Sequence, residues 1–265
     1  MNKTLIAFTV AMLGLSGAWH QKSIKPWEEW SKKDAQKILD DSPWSQSVTE
    51  SNTSESSLGS TSMGDTRNRE TQGTATQVST VKFRVRFFSA RPIRQAYVRL
   101  LELSQSEPSP EEATAKRRAW ANLAASDSII VTMMCESNDN RYLGRVMQSL
   151  NSADTSVLKN NVYLERKDGK RVFLSEYVPP TGKDLFGARF VFPRTLDGQP
   201  FVTPESGSLR FHVEYETQAL ESTMVQSGRT SSRSSGTSQS DRAYKFKLDM
   251  KFKVPEMTYN GELEY

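Results

Sequence analysis

Three stretches of the chain alternate apolar and polar side chains one for one, and nothing else in the sequence restricts the fold as strongly. Val81, Phe83, Val85 and Phe87 interleave with Lys82, Arg84 and Arg86; Leu209, Phe211, Val213 and Tyr215 interleave with Arg210, His212, Glu214 and Glu216. The third runs from Tyr244 through Phe246, Leu248, Met250 and Phe252 to Val254, with Lys245, Lys247, Asp249, Lys251 and Lys253 between them. Successive side chains of a strand point to opposite faces, so a period of two puts one face on a core and the other in water. Antiparallel sheets have that asymmetry, whereas parallel strands buried on both faces read as continuous apolar runs. Between Tyr163 and Phe173, the turn Lys167-Asp168-Gly169-Lys170 has the composition of a tight hairpin with two positive φ angles.

Helical spacing interrupts this pattern. Pro92 to Ser104 carries Ile93, Tyr97, Leu100 and Leu101 on one stripe. Ser109-Pro110-Glu111-Glu112 supplies a cap, a first-position proline and first-turn acids, with Ala119, Trp120 and Leu123 expected to face inward. A further helix is expected from Asp139 to Leu150, and Ser128 to Cys135 reads as a buried strand. The fold class is therefore mainly β with α insertions (α+β): an antiparallel sheet or β-sandwich of about six to eight strands with two or three helices.

Composition divides the chain. Lys3, the apolar run Leu5 to Leu15 and the small residues Ser16, Gly17 and Ala18 have the three-part layout of a secretory signal peptide, expected at 1–18. The apolar run is about half the ~20 residues a membrane-spanning helix needs, so no transmembrane anchor is expected after cleavage. Residues 19–44 form a short Trp-rich helical segment, with Ser31 and Asp34 spaced as a capping box and Ser42-Pro43 ending the helix. From Ser45 to Thr80, 17 of 36 residues are Ser or Thr, too few apolar groups to offset ordering entropy, so 45–78 is expected to be a linker. Residues 79–265 are the β-rich globular domain, with a disordered loop expected at 222–240.

Cleavage would remove Lys3 and lower the formal net charge of +4 by one, a balance that gives no argument for nucleic acid. Cys135 is the only cysteine, so no intramolecular disulfide forms in any compartment and stability must come from packing.

The chemistry available is narrow. Only His20 and His212 occur, and a Cys135–His212 nucleophile pair competes with a buried, inert thiol inside the apolar Ile129 to Met134 run. Ser156 and Lys159 have a serine–lysine hydrolase spacing, but the surroundings read as extended, which would point them apart. Ser137-Asn138-Asp139-Asn140 offers oxygens for calcium but suits a helix-capping turn better. No catalytic residue, metal ligand or cofactor site is assigned.

Two surfaces stand out as candidate contacts. Trp27, Trp30 and Trp44 fall close together and suit either a ligand-stacking surface or rings that pin the segment to the domain. The basic faces of Lys82, Arg84 and Arg86 and of Lys245, Lys247, Lys251 and Lys253 would merge into one positive surface if their strands were neighbours. The ending Met257, Tyr259, Gly261, Leu263, Tyr265 alternates like the last strand of an outer-membrane barrel.

The runs Lys25-Pro26-Trp27-Glu28-Glu29-Trp30, Asp41-Ser42-Pro43-Trp44 and Tyr163 to Lys170 resemble those of exported proteins of environmental bacteria with no assigned activity. The resemblance implies export and lends no catalytic residue. The expectation is an exported, periplasmic or extracellular, non-enzymatic protein that binds or scaffolds a cell-envelope protein or polysaccharide. The competing readings are an envelope hydrolase with a carboxylate-based site and, behind it, an outer-membrane barrel.

Overall fold

The computed structural model describes residues 25–52, 79–106, 109–124, 126–181, 186–216 and 245–265. The expected signal peptide at 1–18, most of the expected linker (53–78) and the loop at 222–240 lie outside the described residues.

In chain order the elements are α1 (Lys32–Asp40), β1 (Ser45–Asn52), β2 (Ser79–Phe87), α2 (Arg91–Ser104), α3 (Glu111–Ala121), β3 (Ser128–Ser137), α4 (Asn140–Ser152), α5 (Thr155–Leu158), β4 (Val162–Arg166), β5 (Arg171–Phe173), β6 (Glu176–Val178), β7 (Ala188–Pro193), β8 (Thr195–Leu196), β9 (Gln199–Pro200), β10 (Ser208–Glu216), β11 (Lys245–Lys253), β12 (Thr258–Tyr259) and β13 (Glu262–Leu263). Two antiparallel sheets carry the fold, ordered β1-β2-β3-β7-β6 and β11-β10-β4-β5. The remaining strands form two-stranded hairpins, β8-β9 and β12-β13. The molecule is thus mixed α+β with antiparallel pairing throughout its described strands, as the alternation requires.

The sheets face each other through the apolar half of each alternating strand. Phe87 meets Phe252 edge-on at 4.8 Å between ring centroids, and Phe211 meets Phe190 at 5.3 Å and Phe192 at 6.2 Å. All five rings are fully buried, each contributing roughly 1.5–3 kcal/mol of transfer free energy. Helix α4 packs on the same core through Tyr142, Val146 and Leu150, and the Tyr177 hydroxyl donates to the Leu150 carbonyl (2.7 Å).

The back of the first sheet is covered by helices. Arg86 is 3% exposed and donates to the Leu39 carbonyl of α1 (2.6 Å) and to the Tyr97 hydroxyl of α2 (2.8 Å). Burial pushes its pKa down, opposed by Tyr97 and Asp40. The back of the second sheet carries cross-strand polar pairs: Glu214 opposite Lys247, His212 opposite Asp249, and Arg210 opposite Glu165.

Several expectations are corrected. Residues 45–52 are not linker but strand β1, paired with β2 along its whole length from Ser45↔Arg86 to Asn52↔Ser79. Its polar composition suits an edge strand, which takes hydrogen bonds from a neighbour instead of supplying a core. The hairpin at Asp168 forms, but only Gly169 has positive φ (83°), with Arg166 and Lys170 closing a three-residue loop. The two-residue primed turn occurs at Asn260-Gly261 (φ 52° and 83°), and Asp197-Gly198 repeats it. The Met257 to Tyr265 alternation is therefore a folded-back hairpin, which removes the feature that suggested a barrel's last strand. Ser156 and Lys159 lie on helical, not extended, backbone at α5. In α3 it is Ala121 that is buried, while Leu123 is 57% exposed.

Candidate functional site

Ser31 caps α1 in the expected capping box with Asp34, accepting from the Asp34 amide at 3.1 Å. Just before it, Trp27–Glu29 makes one 3₁₀ turn. Trp27, Trp30 and Trp44 are 5%, 3% and 6% exposed. Trp30 Nε1 donates to the Lys25 carbonyl (3.0 Å), and the Trp30 carbonyl accepts from Arg99 Nε (2.7 Å). Trp44 Nε1 donates to the Glu264 carbonyl (2.7 Å), with its ring edge-on to Tyr259 at 6.2 Å. Trp30 and Trp44 therefore pin residues 25–44 to α2 and the β12-β13 hairpin, the pinning arrangement of the two that the sequence left open, while Trp27 lines a cleft beside them.

That cleft, of about 390 Å³, is lined by Lys25 to Glu28, Arg91 and Gln95 of α2, Asn122, Tyr259 and Asn260. That volume falls at the lower end of small-ligand sites, roughly 300–1,000 Å³. Helix α2 lacks a capping side chain at Ala90. Glu264 supplies it from the far end of the sequence: its carboxylate accepts from the Arg91 backbone amide (3.0 Å) and from Arg91 Nε (2.7 Å). Arg91 also donates to Glu262 (2.5 Å). Burial opposes the Arg91 charge, but these carboxylates prevail and hold its pKa above the usual guanidinium value. One turn further along α2, Gln95 is 3% exposed; its Nε2 donates to Asn122 Oδ1 (2.8 Å), and its Oε1 is buried with no hydrogen-bond partner among the described residues. Tyr259 is 4% exposed, and burial raises its phenol pKa.

The other candidate chemistry is not assembled. Cys135 lies in register with Phe83, on the face of the first sheet that meets the core, while His212 lies on the outer face of the second sheet. Burial and then Glu50 push the Cys135 thiol up to about 12, far from a thiolate at neutral pH. His212 is 7% exposed, stacked on Tyr163 at 4.5 Å and bonded through Nδ1 to Asp249 at 2.8 Å, with Glu214 at 3.9 Å from Nε2. Ser156 donates its hydroxyl to Asp154 (2.6 Å) and not to Lys159. Asp139 caps α4 and accepts from Ser79, so the oxygens that suggested calcium have structural partners. Among the described residues there is no group of three or more His, Cys, Asp or Glu side chains that could hold a metal ion. No described helix is long and apolar enough to cross a membrane.

The two basic strand faces do not merge. β2 and β11 belong to different sheets, and Arg84 and Arg86 turn under α1 and α2, where Arg84 pairs with Asp40 (3.2 Å). No protein-family model, curated protein or solved structure matches the chain.

No local pattern in the sequence joins Arg91, Gln95, Asn122, Tyr259 and Asn260. The one available signal was Asn260-Gly261, whose turn chemistry brings the end of the sequence back onto α2.

Proposed function

We propose that this chain is an exported, non-enzymatic protein that binds or scaffolds a component of the cell envelope, with the cleft between the Trp27 turn, α2 and the β12-β13 hairpin as its contact site. The observation that carries the reading is the lining of that cleft: amides, a phenol and an ion-paired arginine, all suited to hold a ligand by hydrogen bonds. A nucleophile needs a base within hydrogen-bond reach, and the serine, cysteine and histidine candidates are each placed elsewhere. The carboxylate-hydrolase alternative requires two carboxyl groups flanking a bond, one of them a proton donor. Beside this cleft Glu262 and Glu264 both engage Arg91, which favours binding over hydrolysis. The layout of residues 1–18 supports export.

The test is fractionation of the native cells with mass spectrometry of the N-terminus. Cleavage after Ala18, with the protein in a periplasmic, envelope or culture fraction, is the expected result. An uncleaved chain in the cytoplasm overturns the export half of the proposal. Turnover of ester, peptide or glycan substrates by the purified protein overturns the non-enzymatic half.

A further inference from the structure

We infer that the free edge of β1 is a pairing surface for a second copy of this chain: two molecules join β1 to β1, antiparallel about a two-fold axis, and their five-stranded sheets become one continuous sheet. This goes beyond the binding reading above and does not depend on it.

The four edges of the two sheets are guarded unequally. An edge presents a row of unpaired amides and carbonyls, and folds blunt it by keeping the strand short or by placing lysine or proline on it. β5 and β6 are three residues each, and Pro179-Pro180 follows β6 directly. β11 is nine residues long but has Lys245, Lys247, Lys251 and Lys253 along it, and its Lys251 carbonyl already accepts from Gln46 Nε2 (3.0 Å). β1 is eight residues, Ser-Gln-Ser-Val-Thr-Glu-Ser-Asn, with no lysine, no proline and a single charge. It is the one long edge without a guard.

The main chain of β1 shows which groups are on offer. The Trp44 carbonyl accepts from the Phe87 amide, so along the same antiparallel ladder Gln46, Val48 and Glu50 also turn their amides and carbonyls to β2. The alternate residues turn theirs outward. Ser45 spends both groups on Ser42, whereas no described residue bonds the outward groups of Ser47 and Thr49. The side chains of Ser47 and Thr49 are exposed, so no covering layer stands in the way.

The occupant follows from self-complementarity. With Thr49 on the axis, the two strands register as Ser47↔Ser51, Val48↔Glu50 and Gln46↔Asn52, each residue opposite one on its own face of the sheet. The two Glu50 carboxylates then stand apart, and the outward groups of Thr49 and Ser47 find partners. A two-fold pairing uses the same edge of both molecules and closes at two.

The experiment is sedimentation equilibrium of the full-length protein. A reversible dimer is expected, with a dissociation constant of roughly 1–100 µM, the strength of a small interface. Thr49→Glu places two carboxylates opposite each other across the axis, yet sets each beside Lys82, its register partner on β2. It should weaken the dimer roughly fivefold without lowering the melting temperature. Thr49→Pro removes an outward amide and no bond to β2, and should abolish the dimer, while Thr49→Val keeps it. A parent that is monomeric at about 1 mM overturns the inference, as does a dimer that neither Thr49→Glu nor Thr49→Pro weakens. Hydrogen exchange adds a local readout: the Ser47 and Thr49 amides should gain protection as protein concentration rises. Protection of those amides in a monomer means that another segment covers the edge, and equally overturns the inference.

Discussion

The outward faces of the two sheets began as the same pattern and met different fates. On β2, Arg84 and Arg86 alternate with phenylalanines and valines; on β11, Lys247, Lys251 and Lys253 do the same. Arg86 is 3% exposed beneath α1 and α2, with its guanidinium bonded to a main-chain carbonyl and a tyrosine hydroxyl. Lys247, Lys251 and Lys253 stand in solvent, and Lys247 pairs loosely with Glu214 at 3.9 Å. A period of two says which face meets the core; it does not say whether the opposite face meets water or another layer. The difference follows residue chemistry. Arginine keeps five donors in a planar fork and is weakly hydrated, so it tolerates burial among acceptors, whereas the strongly hydrated lysine ammonium favours water.

That contrast can be broken by measurement. Arg86→Ala should lower unfolding free energy by about 3 kcal/mol, since it leaves the Leu39 carbonyl and Tyr97 hydroxyl without their donor; urea denaturation gives the value. A loss under about 0.5 kcal/mol would mean the first sheet's back is as wet as the second's. His212→Ala tests the best-covered group on the second sheet, where the stack on Tyr163 and the bond to Asp249 predict a loss of about 1 kcal/mol.

One carboxyl group on each sheet should respond to pH with opposite sign. Glu50 shares the inner face of the first sheet, in register with Val81, and burial raises its pKa. A raised folded-state pKa contributes stability that is complete below the unfolded value, about 4.3, and lost as pH rises through the folded value. Glu50→Gln should therefore be stabilising relative to the parent at pH 7 and lose that advantage near pH 3. Glu165 lies on the outer face of the second sheet; partial burial opposes its charge, but Arg171 and Arg210 prevail and lower its pKa. Its contribution is present above about pH 4.3 and lost as pH falls through the folded value, so Glu165→Gln should be destabilising at pH 7 and neutral in strong acid. Thermal melts from pH 3 to 8 check both signs; matching slopes for the two variants would refute the assignment. The smallest effect belongs to Lys251→Ala, expected within about 0.5 kcal/mol of the parent, and a larger loss would show that β11 carries a layer of its own.

Legibility varied with range. The alternating strands, the Asp139-capped helix α4 and the Ser31–Asp34 capping box could all be read, because each depends on neighbours within a few residues. Strand β1 was unreadable for a physical reason: Ser45 to Asn52 has no core of its own and is ordered by the β2 ladder, whose partners lie more than 25 residues on. The Ser156–Lys159 turn was missed because its helix is four residues long and is started by Asp154 accepting the Ser156 and Val157 amides, a cap without a periodic stripe behind it. The cleft was the least legible of all. Its lining comes from residues 25 to 28, helix α2, the residue that follows α3 and the closing hairpin, and the capping of α2 by Glu264 spans 173 positions.

By itself the sequence determined which side of each long strand faces the core and that the sheets are antiparallel, since side-chain periodicity is a local property. Only the tertiary structure decided that Arg84 and Arg86 lie under helices while the β11 lysines do not, that the tryptophans face inward, and that Gln95, Asn122 and Asn260 meet around one cleft. Those outcomes depend on which distant surfaces exclude water from one another, and burial, unlike side-chain direction along a strand, is set by the whole chain at once.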